Sequence, residues 1–278
     1  MTWTGMEGQF AMGNLRSDRS LRLDSAVADQ SGMTRAQARS LILEGRVRVN
    51  GSVVSKAGQS VKSDATIEIE SPRRFVSRGG EKLEHALDAF GIEVAGAIAL
   101  DVGASTGGFT DCLLARGAAR VTAVDVGYGQ LDWKLRNDPR VEVRERTNFR
   151  LLPDNAFPGG FDLIVVDASF ISVRTILGRA VGYLRPTGSV VALVKPQFEA
   201  GRQRLGGGGV VRDPAVHVAV LREVRDAVLT LGLVPVALTA SPLVGPAGNR
   251  EFLMLLRPAG DSIDDARIDA VVAERGTR

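Results

Sequence analysis

The sequence predicts an α/β protein: a doubly wound, mostly parallel sheet preceded by a small α+β unit. Three observations carry this reading. From residue 97 onward, compact β-branched runs alternate with helical patterns. Residues 20–71 hold two short helical patterns and three short strand patterns instead. Charge divides at the same place: residues 14–76 hold 11 Arg/Lys against 7 Asp/Glu, whereas residues 77–278 hold 24 of each. The excess positive charge suits contact with a polyanion, although a solvated basic face is the plainer alternative.

Composition narrows the class. The 278 residues are 44% apolar and 24% charged, enough for a sizeable core and ordinary for a globular chain. No apolar run approaches the ~18 residues of a membrane span. No charged-then-apolar leader opens the chain. The expectation is a cytoplasmic protein with no membrane partner and no obligate protein partner. Cys112 is the single cysteine, which excludes a disulfide framework or a cysteine-based zinc site within the chain. No metal is expected.

Residues 1–19 open without periodicity and are expected to be disordered or tag-like. A first helix is predicted over 22–31. Thr34 then caps a second helix, and Gln37 completes a capping box. Ala36, Leu41 and Ile42 suit the inner face of that helix; Arg35 and Arg39 project outward. Gly45 closes it. VRVNGSVV forms a hairpin about Asn50-Gly51, and ATIEIE supplies a further strand. Arg35, Arg39, Arg46 and Arg48 gather near one edge and would track a phosphate backbone.

This stretch resembles the alpha-L RNA-binding fold of the ribosomal protein S-four type. RLD at 22–24, TRAQARSLILEGRVRVNG at 34–51, Val53 and Lys56 carry the likeness. It implies recognition of structured RNA by shape and phosphate. The expected RNA-binding residues are Arg22, Arg35, Arg39, Arg46, Arg48 and Lys56.

Residues 72–77 read as a linker, 78–260 as the larger domain and 261–278 as a C-terminal tail or helix. Strands are predicted at 97–103, 120–127, 141–145, 161–167 and 189–195. Two more, near 234–240 and 251–257, lie too close in sequence for a helical crossover and should pair antiparallel. The first strand ends DVGASTGGF at 101–109 and should open a helix near Thr110. In an open α/β sheet, a nucleotide-like cofactor binds at this turn. The spacing is neither G-x-G-x-x-G nor a phosphate loop. Asp101 opens the turn with a carboxylate, which suits a cationic, phosphate-free ligand such as S-adenosylmethionine; a turn cap is its structural alternative. Asp125 ends the second strand, placed for ribose hydroxyls. The candidate cofactor residues are Asp101, Gly103, Ser105, Thr106, Gly107, Gly108, Asp125 and Asn148.

The chain has only five lysines among 35 cationic residues. Arg cannot act as a base at usable pH, whereas a Lys can. Lys195 ends the fifth strand and Asp167 the fourth. Lys82 opens the helix after the linker, and Glu251 begins the last, antiparallel strand. All four converge on one rim. A ribose 2′-hydroxyl is a poor nucleophile and needs a base or strong orientation. Neighbouring lysines disfavour each other's charged form, which makes Lys195 the candidate proton acceptor. Asp167 and Glu251 would hold the lysines and orient the hydroxyl. Asp167-Ala-Ser-Phe is not the Asp/Asn-Pro-Pro-aromatic run used on exocyclic amines. Cys112 is expected in the core, which disfavours carbon-5 chemistry. His85 and His217 are expected in helices without partners. Residues 201–214, rich in glycine, are expected as a mobile loop at the rim.

SRGGEKLEHAL, DVGASTGGFTDCLL, DVGYGQL, VVDASFIS, LVKPQFE and SPLVGPAGNREF resemble the sequence blocks of the TlyA family, the haemolysin-A-like RNA methyltransferases. The resemblance spans about residues 20–257. It implies an FtsJ-like, Rossmann-like S-adenosylmethionine-dependent methyltransferase domain with a Lys-Asp-Lys-Glu tetrad at Lys82, Asp167, Lys195 and Glu251. It also implies 2′-O-ribose methylation of cytidine in ribosomal RNA, on one or both subunits. The competing readings are a pore-forming haemolysin and an RNA-binding module without catalysis.

Overall fold

The computed structural model describes residues 20–43, 45–69, 74–245 and 248–274. The expectations for residues 1–19 and for the linker residues 72 and 73 lie outside the described residues. The chain divides into two compact units, broken between residues 72 and 73.

In the first unit, β1 (Ser20–Arg22) leads into α1 (Leu23–Ser31) and α2 (Arg35–Leu43). The strands β2 (Val47–Val49), β3 (Ser52–Val53), β4 (Ser60–Lys62) and β5 (Ile67–Ile69) follow. They form two small sheets rather than the one expected: β3-β2-β5 and β1-β4. The capping box forms, with Gln37 N donating to Thr34 Oγ1 and Thr34 N donating to Gln37 Oε1. The β2–β3 hairpin turns on Asn50 and Gly51, both at positive φ, as a two-residue turn that follows strand twist requires. Leu23, Val27, Ala38, Leu41, Ile42 and Val47 make the core. Ala36 is exposed, contrary to expectation. The inward face is set by Ala38, Leu41 and Ile42 at three- and four-residue spacing, and Ala36 falls off that stripe.

In the second unit, α3 (Gly79–Phe90) precedes β6 (Ile98–Val102), α4 (Gly108–Ala115), β7 (Arg120–Val124), α5 (Trp133–Arg136) and β8 (Val141–Arg144). Then come β9 (Phe161–Val166), α6 (Val173–Ala180), β10 (Leu184–Val194) and α7 (Pro196–Glu199). α8 (Pro214–Thr230), β11 (Val234–Ala240), β12 (Phe252–Arg257) and α9 (Asp265–Ala273) complete it. The seven strands run β11-β12-β10-β9-β6-β7-β8. Only β12 is antiparallel to its neighbours, pairing so with both β10 and β11. Buried strands such as β9, apolar from Leu163 to Val166, read as continuous apolar runs because both sheet faces are covered. Leu100, Ile164, Val190 and Met254 point to one core, while Ala99, Val165, Val191 and Leu253 point to the other.

This topology builds a rim. Strand order reverses at β6, where chain connections leave to either side and open a crevice beyond the strand ends. Val102 pairs with Val166, and Ala192 with Val166 across the next ladder. Val194 pairs with Phe252. Lys195 and Glu251, the residues just beyond that pair, therefore leave the sheet side by side.

Candidate active site

Two cavities open at this rim. The larger, about 480 Å³, has an apolar floor from Val102, Val124, Phe149, Ile171 and Ile176, and is also lined by Asp125 and Asn148. The smaller, about 310 Å³, contains Lys82, Asp167, Lys195 and Glu251 together with Ser77, Arg78, Thr106 and Gly108. Gly103, Ser105, Asp167 and Ser169 line both.

The turn after β6 is shaped by two glycines. Gly103 has φ +87°, and a Cβ there would stand 2.7 Å from the Asp167 carbonyl oxygen. Any side chain would push β6 and β9 apart at the point where the cavities meet. Gly107, at φ +96°, packs against Leu135 and Leu131 and lines neither cavity. α4 opens at Gly108, two residues before the expected Thr110.

Asp101 is also absent from both linings. It is fully buried, and its Oδ2 accepts from Thr110 N at 2.9 Å and Thr110 Oγ1 at 2.7 Å. The expected ligand-facing carboxylate is thus a cap for the first turn of α4. Burial pushes its carboxyl up to about 7, against the opposing hydrogen bond from Thr110. A raised native value means the folded state favours the neutral acid. This contribution to stability is complete below the ordinary value of 3.8 and is lost as pH rises through about 7. Asp101→Asn should therefore raise the melting temperature at pH 8 by a few degrees and flatten its dependence between pH 4 and 7, read by thermal denaturation.

Asp125 accepts from Ser105 N through Oδ2 at 2.8 Å and from Gly127 N through Oδ1 at 2.7 Å. Each oxygen keeps a further lone pair for a hydroxyl donor. Asn148 caps a short turn through Arg150 N. An apolar floor, a carboxylate at one wall and close backbone approach at Gly103 fit an adenosyl group.

The four charged residues form two pairs. Lys82, in the first turn of α3, donates to Glu251 Oε2 at 2.5 Å, with both side chains buried. Lys195 lies 2.6 Å from Asp167 Oδ1 and donates to Ser169 Oγ at 2.8 Å. Each lysine is held by a carboxylate, so the polar groups of this cavity are paired with one another.

Residues outside the expected set support this geometry. Glu199, on α7, accepts from Val173 N at 2.6 Å and Ser172 Oγ at 2.7 Å, tying the 167–172 loop to the segment that follows Lys195. Asn249, nearly buried, accepts from Val211 N at 3.0 Å. This bond pins one end of the glycine-rich 201–214 segment, in which residues 202–204 form a single helical turn and Gly208 and Gly209 sit at positive φ. Phe170 is 91% exposed, sits at φ +64° and lies 5.2 Å from the Phe198 ring. It also lines the larger cavity, in a sparsely populated backbone region. Both histidines have partners: His85 with Thr239 Oγ1, and His217 with the Val211 carbonyl. Cys112 is buried in the core, and burial pushes its thiol up to about 12.

In the first unit, Arg22, Arg39 and Lys56 line a groove of about 750 Å³. Arg22 and Arg35 both bond to Asp24, and the Arg22 guanidinium holds that carboxyl well below the usual carboxylate range. Arg35, Arg46 and Arg48 are not among the groove's lining residues, and Arg48 donates to the Gly51 carbonyl.

A sheet with this strand order, a glycine turn after its first strand and a nucleoside-sized crevice at the switch point define a Rossmann-like methyltransferase. Comparison with known proteins agrees. Residues 75–257 match the model of FtsJ-like methyltransferases, and residues 21–67 match the S4 domain. The 16S/23S rRNA (cytidine-2′-O)-methyltransferase TlyA of Mycobacterium tuberculosis is 48% identical over 87% of this chain and 92% of its own. Hemolysin A of Brachyspira hyodysenteriae is 42% identical over 84% and 98%. A solved structure described as a hemolysin from Streptococcus thermophilus superposes with a TM-score of 0.72 at 40% identity, over 92% of this chain and 96% of that one. The chain belongs to the TlyA family of FtsJ-like methyltransferases, and the haemolysin names fall within that family.

Proposed function

We propose that this protein methylates the 2′-hydroxyl of a cytidine in ribosomal RNA, with S-adenosylmethionine as donor, acting in the cytoplasm on ribosomal subunits. The observation that carries the proposal is the junction of the two cavities: a nucleoside-sized crevice and a chamber with two lysine–carboxylate pairs share Gly103, Ser105, Asp167 and Ser169.

S-adenosylmethionine, when bound, supplies an electrophilic methyl group. Gly103, Ser105, Asp125 and Asn148 would hold its adenosyl part, with Thr106 and Gly108 in the adjoining cavity. Asp125 would accept from the ribose hydroxyls. Asp125→Ala should weaken cofactor binding at least tenfold by calorimetry; unchanged affinity would remove Asp125 from the set.

Lys195, reacting as the neutral amine, accepts the hydroxyl proton at Nζ as the oxygen attacks and becomes the ammonium partner of Asp167. Asp167 holds Lys195, while Glu251 anchors Lys82 against the opposite wall. Orientation of the hydroxyl for in-line attack is the main contribution of the pairs. Phe170 offers a face for the target base. Base–aromatic stacking is worth about 1–3 kcal/mol, so Phe170→Ala should lower kcat/KM for RNA about tenfold and leave cofactor affinity unchanged.

The experiment that tests the function maps ribose methylation on ribosomal RNA after incubating unmodified subunits with the protein and labelled donor. Absence of new 2′-O-methylcytidine would overturn it. Among the described residues, no helix is long and apolar enough to cross a membrane. Lysis of erythrocytes by the purified protein would support the pore-forming alternative.

A further inference from the structure

Ser169 is a residue that neither the motif spacing nor the charge pattern singles out. It is exposed, lines both cavities and is bonded to Lys195 Nζ. That nitrogen has a second partner. Asp167 Oδ1 lies 2.6 Å from it in an ion pair. One such contact leaves Nζ free to turn about the line that joins the two atoms. The 2.8 Å bond to Ser169 Oγ adds a second direction, and two contacts together fix that turn.

That second direction matters for a lysine. Nζ sits on a flexible four-carbon stem and carries up to three protons around one axis. A proton acceptor must present its lone pair to one point in space. A directional bond to Ser169 removes the rotation that the ion pair permits. It leaves the remaining positions on Nζ fixed relative to the cavity junction. The serine oxygen, having accepted from Lys195, keeps its own O–H to donate.

We infer that Ser169 is a positioning residue for methyl transfer, setting the rotation of Lys195 Nζ. The inference rests on the proposed role of Lys195. Its test compares the full chain carrying Ser169→Ala, Ser169→Thr or Lys195→Ala with the unaltered chain. Labelled donor and unmodified ribosomal subunits serve as reactants. Ser169→Ala should lower kcat about tenfold or more, with KM for subunits and the dissociation constant for S-adenosylmethionine within twofold. Ser169→Thr, which keeps the hydroxyl, should restore most of the loss.

A second readout is independent of turnover. With five lysines in the chain, NMR of labelled lysine ε-positions can follow Lys195 alone. Its terminal methylene and nitrogen should become more mobile in Ser169→Ala and regain order in Ser169→Thr. Unchanged kcat and unchanged Lys195 mobility in Ser169→Ala would overturn the inference. So would a raised KM at constant kcat, which would place the hydroxyl on the RNA instead. Full activity of Lys195→Ala would show that the Lys195 reading itself fails. An inactive Lys195→Ala beside a fully active Ser169→Ala would leave that reading standing and remove only Ser169.

Discussion

Lys195→Arg should bind S-adenosylmethionine and RNA as the unaltered chain does and lose methyl transfer by roughly 10²–10⁴, the range for removal of a general base. Arginine keeps the positive charge and approximate reach but holds its proton at any working pH. The substitution therefore separates two jobs. The charge partner of Asp167, now 2.6 Å away, is retained, whereas the proton acceptor is lost. Single-turnover methylation with saturating cofactor isolates the chemical step from product release. Lys195→Ala should lose a similar amount. Near-normal single turnover by Lys195→Arg would make the residue a fixed charge, with solvent or another group taking the proton.

The double substitution Arg39→Ala/Lys56→Ala should lower RNA affinity by on the order of tenfold and leave cofactor affinity untouched. Both residues line the first unit's groove, and a cation that meets a phosphate releases counterions. Removing one such cation flattens the logarithmic salt dependence of binding by about one. The measurement is a salt series of RNA binding for both forms of the chain. An unchanged slope would show that the groove does not meet phosphate. Because the proposed reacting groups all lie in the second unit, single-turnover rate at saturating RNA should stay the same.

The strands were legible because both faces of the large sheet are covered. Burial demands continuous apolar runs such as LIVV at 163–166, and these stand out against their surroundings. The antiparallel course of β12 followed from the short connection before it, and with it the meeting of Lys195 and Glu251. What the sequence could not reveal depends on side-chain direction. Asp101 looks like a ligand-facing acid by position, but its strand turns it beneath α4, where Thr110 claims it. Gly107 is required by its positive φ and by the close packing of Leu135 and Leu131. Ser169 and Phe170 follow Asp167 in a loop, where no periodicity assigns a facing. Ala36 is apolar yet small enough to sit in solvent at little cost, so its composition carried no inward signal.

The placement of β12 also bears on how the protein comes to be made. Lys82 and Glu251 are 169 residues apart in the chain, and Glu251 precedes an interior strand, wedged between β10 and β11. During synthesis, α3, β6, β9 and β10 emerge first, carrying Lys82, Asp167 and Lys195. None of the interactions around Glu251 can form until β12 itself has left the ribosome. Pairings of such long sequence separation are slow to form, because the loop must close before any of it is rewarded. The nascent protein therefore lacks the Glu251 carboxylate at the rim until β12 has entered the sheet.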